Sequence, residues 1–295
     1  MRLTLRQLAV FVAIADSGST TSAGEAMALS QSATSSALKE LEKVLDVQLF
    51  DRVGARLVLN DVGRGLLEQA RVVLDAASRI EKEFGGGALA GSLRIGASTT
   101  IGNYILPALV GSYAPTHPQL DVDVLVANTA AVVEAVSRLQ VDVAFIEGPC
   151  RASDVDARVW REDELVIVAS PLHPLLDGRK THRMNVQDLR QVKWLLREPG
   201  SGTRVAVEQA LLPHLKKIQE GMHFGGTEAI KLAAVNGLGF ACMSLATVRD
   251  WIANKRLVRV QTTLPKLTRP LYCIQHKRKR LSRSVLAFLD HCDRM

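Results

Sequence analysis

Small polar residues at a helix start provide the first chemical signal in this sequence. Ser30 suits the N-cap of a helix that runs from position 31 to about 45, with apolar residues on one face. The other face offers amide, hydroxyl and ammonium groups that can reach the base edges or phosphates of duplex DNA. These groups belong to Ser30, Gln31, Ser32, Thr34, Ser35 and Lys39. Singly, each Ser or Thr is best explained as a cap or a solvated residue, but together they indicate a DNA-reading face.

Two further sets of residues flank that helix. The preceding short helix opens with hydroxyl side chains and backbone amides, a combination that binds phosphate well. Its residues are Thr20, Thr21 and Ser22. Arg52 and Arg56 lie on either side of a Gly54 turn, in two short segments that predict a β-hairpin. Two helices joined by a tight turn and followed by a hairpin are typical of a winged helix-turn-helix.

The apolar spacing predicts the elements that position these groups. A first helix is expected over residues 5–15, a second over about 21–27, and a long helix from Asp61 to about Phe84. In the long helix, apolar residues recur at alternating steps of four and three. They are Leu66, Ala70, Val73, Ala77, Ile80 and Phe84. This heptad seam predicts a dimer contact, with packing on its own domain as the alternative, and the glycines at 85–87 predict a hinge.

After the hinge, short apolar runs alternate with helical stretches, which predicts an α/β domain with a parallel sheet. The strands are expected at 92–97, 122–127, 141–146, 165–169, 193–196, 240–243 and 271–275. Two sets of this plan predict two similar lobes with a cleft between them. The expected division is 1–60 for the DNA-binding domain, 61–87 for the linker helix and hinge, and 88–295 for the ligand domain. Lobe I takes about 88–161 and 268–295, and lobe II takes about 162–267.

The net charge does not by itself support a DNA partner. The chain has a formal charge of +7, but residues 255–295 hold 11 Lys and Arg against 2 Asp and Glu. Residues 1–87 hold 10 and 11, so the DNA interpretation depends on local pattern. The basic run at 277–280 is most simply a solvated loop before the last helix. Added attraction to DNA or a contact between subunits is the alternative.

The sequence offers little support for an enzyme or a metal protein. Gly200 and Gly202 lack the third glycine of a dinucleotide fingerprint, and no Gly-x-Ser-x-Gly motif occurs. The 4 cysteines and 7 histidines show no metal-ligand spacing, so we expect reduced thiols, no metal and no cofactor. The sequence contains no apolar run of about 18 residues, so we expect no membrane helix. A solute-binding protein without a direct DNA role is the alternative, and residues 1–60 argue against it.

The N-terminal motifs resemble those of LysR-type transcriptional regulators. The resemblance is carried by residues 3–8 (LTLRQL), 19–21 (STT), 28–33 (ALSQSA) and 49–52 (LFDR). Many members of that family carry proline after the Ser-Gln pair, where this chain has Ser32. Because proline pre-sets the first helical turn, this chain relies on its N-cap instead. Base preferences of proline-bearing members therefore do not transfer to it.

The resemblance continues over the rest of the chain. Residues 98–104 (STTIGNY), 145–149 (FIEGP) and 196–204 (LREPGSGTR) are similar to those of the YeiE-like subgroup, and to regulators of sulfur metabolism and carbon fixation. The resemblance implies a two-lobed, periplasmic-binding-protein-like (type 2) effector domain.

In that fold, two helix N-termini face each other across the cleft and suit a small anion. Residues 98–100 open a helix in one lobe, and 200–204 do so in the other, with Arg204 as a counter-charge. Merely capped helices are the alternative. Glu147 is costly in an anion site unless it is paired, so it either holds a lobe together or accepts a ligand proton. The expected effector residues are Ser98, Thr99, Thr100, Asn128, Thr129, Glu147, Gly200, Ser201, Gly202, Thr203, Arg204 and Thr227.

The subgroup resemblance implies a sulfur oxyanion, sulfite or sulfate, as the effector, with a phosphorylated or carboxylated metabolite as the alternative. Loops rich in hydroxyls and poor in cations fit a small oxyanion better than a large sugar phosphate. The expected protein is a cytoplasmic dimer, or a tetramer of dimers, on a pseudo-palindromic promoter. The effector tunes activation or repression by changing lobe closure, and RNA polymerase is a further candidate partner.

Overall fold

The structure, a computed structural model, describes residues 3–53, 56–84, 91–176 and 182–295. The chain divides into two compact units, one of residues 1–88 with 278–282 and the other of residues 89–277 with 283–295. The predicted turn at Gly54, the predicted hinge at 85–87 and the side chain of Phe84 lie outside the described residues.

The first unit packs three helices, a hairpin and a long helix around one apolar core. Thr4 and Gln7 form a capping box at the first helix, and Ser30 caps the third. The elements are α1 (Leu5–Ser17), α2 (Thr20–Ala26), α3 (Gln31–Leu45), β1 (Phe50–Val53), β2 (Arg56–Leu59) and α4 (Asp61–Phe84). β1 and β2 pair antiparallel, so the predicted helices and hairpin are confirmed.

The seam of α4 divides into two parts. Leu66 packs against the core of the first unit, and Ala70 is buried in it. Val73 and Ile80, farther along the helix, are 44% and 58% exposed. The first turns of the seam therefore pack on their own domain, which was the alternative to a dimer contact. The later positions, Val73 and Ile80, present apolar surface to solvent.

The segment 278–282 belongs to this first unit and contacts α4. Lys279 Nζ lies 2.6 Å from Asp75 Oδ1, and Arg278 Nη1 lies 3.2 Å from Glu68 Oε1. Lys279 is buried, which is tolerated because its ammonium has a carboxylate partner. The expectation of a solvated loop is therefore wrong at Lys279.

The second unit is an α/β domain of helices packed on a mixed sheet. Its first elements are β3 (Gly91–Ser98), α5 (Thr99–Tyr104), α6 (Leu106–Tyr113), β4 (Leu120–Ala127), α7 (Thr129–Ser137), β5 (Val143–Glu147) and β6 (Val155–Ala169). There follow β7 (Arg183–Met184), α8 (Val186–Gln191), β8 (Trp194–Arg197), α9 (Gly202–Leu215), β9 (Glu220–Phe224) and α10 (Thr227–Val235). The last are β10 (Ala241–Ser244), α11 (Leu245–Ala253), β11 (Val258–Arg259), β12 (Gln261–Thr262), β13 (Leu267–His276) and α12 (Arg283–Arg294).

The main sheet has the order β10-β6-β13-β5-β3-β4, with β11 also beside β6. β4, β3 and β5 pair in parallel, as predicted. β13, β6 and β10 instead pair antiparallel, so the sheet is mixed rather than all-parallel. The sequence pattern missed the first part of β6, which begins ten residues before the predicted strand and pairs with β13 along its length.

These two long strands connect the lobes. Lobe I consists of β3, β4 and β5 with α5, α6, α7 and α12, and lobe II consists of β7–β12 with α8–α11. In lobe II, β8 and β9 form a small parallel sheet, and Trp194 of β8 is buried in the core of that lobe. The carboxyl ends of β3, β5 and β8 each lead toward the cleft, which is where parallel strands present ligand-binding loops.

Candidate DNA-reading surface and effector cleft

The starts of α2 and α3 lie side by side. Ser19 caps α2 by accepting hydrogen bonds from the backbone amides of Thr21 and Ser22. The Gln31 side chain, at the start of α3, donates to Thr20 Oγ1 over 3.2 Å. The two helix starts thus form one polar surface of hydroxyls, an amide and backbone N–H groups, which suits phosphate and base contacts.

The turn between these helices depends on Gly24. A β-carbon there would lie 2.8 Å from the Leu29 carbonyl oxygen and 2.9 Å from Thr34 Oγ1. Any side chain at this position would therefore push α3 away from α2.

The prediction that Thr34 contacts DNA is wrong, and the reason is its position between two helices. Thr34 is fully buried, and its hydroxyl donates to the Ser30 carbonyl over 3.0 Å, so it packs α3 onto α2 and does not face outward. Gln31, Ser32 and Lys39 are exposed, and Ser35 is half-buried. Ser36 is also exposed and was missed. Its spacing of four from Ser32 and three from Lys39 was the signal that could have found it.

The hairpin places its two arginines on opposite faces. Arg52 pairs across the strands with Leu57, and Arg56 pairs with Val53. Since directly opposite residues share a face and neighbours alternate, Arg52 lies on the face of Phe50 and Arg56 on the other. Both are exposed, so both can meet phosphates, but not the same phosphate.

The centre of the cleft is a buried ion network around Arg269, which sequence reasoning missed. Its Nε donates to Asp163 Oδ2 at 2.8 Å, and its Nη1 lies 3.7 Å from Glu147 Oε2. The Ser244 hydroxyl donates to the same aspartate over 2.7 Å. Arg269 also donates to the hydroxyl of Thr203 in lobe II, and so connects both lobes to the crossing strands.

Glu147 holds the lobes together rather than waiting for a ligand proton. Its carboxylate accepts from the Thr100 amide of lobe I over 2.8 Å and from the Thr203 hydroxyl of lobe II over 2.7 Å. Burial alone would raise the pKa of Glu147, but the charge of Arg269 and these hydrogen bonds outweigh it and hold that pKa below its ordinary value. The carboxylate is therefore ionised and paired, and it bridges the two lobes, whereas the expectation was that it holds one lobe together.

A second buried guanidinium, that of Arg197, lies at the end of β8. Its Nε and Nη2 donate to the two carboxylate oxygens of Glu198 over 2.7 and 2.8 Å. Nη1 donates to Thr227 Oγ1 of lobe II over 3.1 Å, and Nη2 lies 3.4 Å from Thr99 Oγ1 of lobe I. Burial opposes ionisation of Glu198, but the bonds and charge of Arg197 outweigh it and lower its pKa. The expectation of cation-poor loops is therefore wrong.

Two amides at the predicted anion-binding helix starts are already occupied. The Thr100 amide binds Glu147, and the Gly202 amide donates to Thr129 Oγ1 over 3.1 Å. Ser98 uses its hydroxyl to accept from the Glu147 amide. Of these bonds, the one between Thr129 and Gly202 joins the two lobes, and the amides of Thr100 and Gly202 are not open to a ligand in this conformation.

The glycines and the asparagine of the predicted site pack the lobes closely. A β-carbon on Gly202 would lie 1.8 Å from the Glu147 carbonyl oxygen, and the Gly200 carbonyl accepts from Ala130 N over 3.1 Å. Asn128 caps α7 and reaches Glu198 across the cleft at 3.4 Å.

Arg204 does not supply the predicted counter-charge. Its guanidinium pairs with Glu208 at 2.8 Å and Glu220 at 3.2 Å, because the first turn of α9 turns it toward its own helix face and β9. Arg197, at the end of the strand before the glycine loop, takes that place instead. The sequence feature that could have identified Arg197 is a lone arginine at the end of an apolar strand. For Arg269 it is a lone arginine within a strand.

A narrow pocket opens beside these groups. Hydroxyls and two guanidinium groups line its polar side, and apolar side chains of lobe II form its base. The polar side is made by Thr100, Arg197, Thr203, Arg204, Thr227, Ser244 and Thr247. Of the predicted effector residues, Thr100, Thr203, Arg204 and Thr227 line it, while Ser201 caps α9 nearby.

Another interlobe contact was not predicted. Lys231 of α10 is buried, and its ammonium donates to the Tyr104 hydroxyl of α5 over 2.5 Å. The same ammonium lies 2.8 Å from Glu228 Oε1 and 4.8 Å from the Trp251 ring centre. Burial, followed by the hydrogen bond and charge of Glu228, raises the pKa of Tyr104, which keeps the phenol protonated.

Within the residues that the structure describes, no helix combines the length and apolar character needed to cross a membrane. Nor do any three His, Cys, Asp or Glu side chains in that part of the chain come together as a metal site.

A winged helix-turn-helix followed by a two-lobed α/β domain with a polar cleft defines a ligand-responsive DNA-binding regulator. The family comparisons agree, since residues 5–64 match the bacterial regulatory helix-turn-helix protein, lysR family, and residues 86–295 match the LysR substrate binding domain. The chain belongs to the LysR family of transcriptional regulators. Members of this family act by binding DNA rather than by catalysis, so the chain is a regulator and not an enzyme.

Among curated relatives, the chain is similar to the uncharacterized HTH-type transcriptional regulator YeiE of Escherichia coli, with 46% identity covering 99% of this chain and 98% of the relative. The fold matches a single-site variant of full-length OxyR from Pseudomonas aeruginosa, with a TM-score of 0.76 and 23% identity over 99% of this chain and 95% of that one. The regulatory domain of Synechocystis CcmR, solved in complex with 2-PG, matches 69% of this chain and 96% of its own, with a TM-score of 0.62 and 26% identity.

Proposed function

We propose that this regulator binds promoter DNA as a dimer, or as a tetramer of dimers, and that a small anion bound between its lobes tunes its activity. A sulfur oxyanion such as sulfite or sulfate is the leading effector. The protein acts in the cytoplasm, where promoter DNA and RNA polymerase lie. A solute-binding role without DNA is not favoured, because the helix-turn-helix match covers residues 5–64.

The observation that carries the effector proposal is the position of Arg197. One guanidinium touches a hydroxyl of each lobe, Thr99 and Thr227, and lines the pocket. A ligand bound there contacts both lobes at once and therefore favours one degree of closure over another. Arginine presents two parallel N–H groups, which match two oxygens of an oxyanion or carboxylate.

The pocket supports a small ligand. It is narrow, its polar side carries hydroxyls, and its base is apolar, which leaves little room for a sugar phosphate. Compact sulfur oxyanions satisfy this shape with two oxygens on Arg197 and a third toward the threonines. A small carboxylate is the next candidate, because it offers the same two oxygens.

The DNA proposal combines the polar surface with the exposed part of α4. Gln31, Ser32, Ser35 and Lys39 supply base and phosphate contacts, and Thr20–Ser22 with the two hairpin arginines supply phosphate contacts. Val73 and Ile80 offer apolar surface to a second copy, which would bring two reading helices to the two halves of a pseudo-palindrome. Binding by two copies at once raises the overall affinity for DNA, and so compensates for the lack of net positive charge in a single DNA-binding domain.

The effector proposal is tested on the full chain by thermal unfolding and calorimetry with sulfite, sulfate, phosphate and acetate. Sulfite or sulfate should raise the unfolding temperature of the wild type. Thr227→Val, which keeps the size of the side chain but removes the hydroxyl that Arg197 contacts, should weaken binding about fivefold or more. Thr268→Val, an exposed position on β13, is the matched control and should bind like the wild type. Equal binding by Thr227→Val and the wild type would exclude this pocket.

A further inference from the structure

Both arginines of the cleft have carboxylate partners before any ligand arrives. Arg269 is paired with Asp163 and Glu147, and Arg197 is paired with Glu198. Three carboxylates thus face these two guanidinium groups, and Arg204 of the pocket lining is paired with Glu208 and Glu220, so an incoming anion meets no excess of positive charge. Since like charges repel strongly at a buried site, a carboxylate must leave its arginine when an anion binds.

Glu147 and Asp163 are poorly suited to leave. Both are buried, and each accepts hydrogen bonds from other groups besides Arg269. Withdrawal of Glu147 would strand the Thr100 amide and separate the lobes at their centre. Withdrawal of Asp163 would remove the closest partner of a fully buried guanidinium, which is strongly unfavourable.

Glu198 differs in both respects. Its side chain is 23% exposed, whereas that of Arg197 is only 3% exposed. Besides the two bonds from Arg197, its carboxylate accepts a long bond from Asn128 Nδ2 at 3.4 Å. Rotation of the Glu198 side chain would therefore bring its carboxylate into solvent without moving the backbone of β8 or burying an unpaired group.

The geometry also defines what can replace Glu198. Its two oxygens take the Nε and Nη2 hydrogens of Arg197 side by side, at 2.7 and 2.8 Å. Sulfite, sulfate and carboxylates carry two oxygens that can copy this contact, whereas chloride cannot. Arg197 keeps its Nη1 bond to Thr227 of lobe II during the exchange, while the replacing anion would take the Nε–Nη2 edge, beside the Thr99 hydroxyl of lobe I.

We propose that Glu198 is a tethered anion, which occupies Arg197 in the unliganded regulator and is displaced by the oxyanion effector. The inference rests on the effector site proposed above and names the group that competes for it. Displacement also breaks the Glu198–Asn128 contact between the lobes, so the exchange couples anion binding to the relation of lobe I to lobe II. Glu198 thereby sets both the affinity threshold and the preference for two-oxygen anions.

The test is calorimetric titration of the full-length protein with sodium sulfite, sodium sulfate and sodium chloride at constant ionic strength. Glu198→Gln keeps the shape but removes the competing charge, and it should bind sulfite or sulfate about tenfold more tightly than the wild type. Glu198→Asp keeps the charge on a shorter side chain and should fall between them. Glu162→Gln removes an exposed carboxylate of β6 and should match the wild type, as a control for net charge.

Thermal unfolding gives an independent readout, in which the size of the stabilisation by sulfite separates the proposal from a simple folding defect. Without anion, Glu198→Gln should melt below the wild type, because Arg197 is left without its carboxylate. Sulfite should then stabilise the variant by more than it stabilises the wild type.

The outcomes separate the two proposals. If the wild type binds the anion and Glu198→Gln binds it equally well or more weakly, the tethered-anion proposal is wrong, but the proposed effector site is not contradicted. A gain of the same size in Glu162→Gln overturns the tethered-anion proposal too, because net charge would explain the result. If neither the wild type nor Glu198→Gln binds sulfite or sulfate, the oxyanion effector is wrong and the tethered anion falls with it.

Discussion

The polar groups of the DNA-reading surface are exposed to solvent, whereas those of the effector cleft are buried. On the surface, Gln31, Ser32 and Lys39 are exposed, and each can be changed without stranding a buried partner. In the cleft, Arg269 and Glu147 are buried and share a partner. Arg269 donates a hydrogen bond to the Thr203 hydroxyl, which in turn donates to the Glu147 carboxylate. Substitutions on the surface should therefore alter recognition with little cost in stability, whereas substitutions in the cleft should cost stability first.

The largest expected effect is at the centre of the cleft. Arg269→Met leaves Asp163 and Glu147 buried without their guanidinium, and should lower the free energy of unfolding by about 3–5 kcal/mol. Denaturant unfolding of the full chain measures it. Adding Asp163→Asn to Arg269→Met should recover part of the loss. A loss below about 1 kcal/mol would mean that the ion network is not what stabilises the cleft.

The helix-turn-helix contains one position that should behave like the cleft. Gly24→Ala places a β-carbon 2.8 Å from the Leu29 carbonyl oxygen, so it should cost about 1–3 kcal/mol and weaken DNA binding. Gly65→Ala on α4 is the matched control, because no atom lies within 4 Å of its β-carbon. It should be neutral or stabilising by up to about 1 kcal/mol. Equal effects of the two alanines would show that the α2–α3 contact is looser than described.

Acid should weaken the cleft before it weakens the reading surface. Because the pKa of Glu147 is lowered in the folded protein, its contribution is present above the unfolded value near 4.5 and is lost as pH falls through the folded pKa. Stability measured between about pH 5 and pH 3 should thus fall steeply in the wild type and less steeply in Glu147→Gln. Parallel curves for the two proteins would contradict this assignment.

The smallest effect is expected at the hairpin. Arg52→Ala and Arg56→Ala should each leave the unfolding temperature unchanged and reduce the slope of log affinity against log salt by about 1. Because the two arginines lie on opposite faces, the double variant should lose the sum of the two slopes. Fluorescence anisotropy with promoter DNA at several salt concentrations measures them. An unchanged slope in both single variants would remove the hairpin from the DNA surface.

Local pattern was enough to predict the helices of the first unit and most of the exposed polar positions of α3. The bounds of α3 and α4 follow from an N-cap and a 3.6-residue apolar repeat, both of which act within a few residues of chain. Ser36 was missed although its spacing could have found it, whereas the burial of Thr34 depends on how closely α2 approaches at Gly24. Helix periodicity gives the angle of a side chain around its own axis, but it does not give the distance to the next helix.

The cleft could be predicted only in outline. The loops at 98–100 and 200–204 do lie at strand ends beside it, as the β-α rhythm implied. Arg197 and Arg269 went unnoticed because a lone arginine in an apolar strand carries no periodic signal. Their roles depend on partners far along the chain, such as Thr99 for Arg197 and Asp163 for Arg269.

The sequence by itself determined the helix-turn-helix, the long linker helix and the α/β class of the second unit, because caps and apolar periods are short-range properties. Only the tertiary structure decided which polar groups already have partners. It placed Glu147 between two lobes, turned Arg204 toward Glu208, and brought Glu198 onto Arg197. The physical reason is that a buried charge is stable only with a partner, and the identity of that partner depends on how distant segments pack.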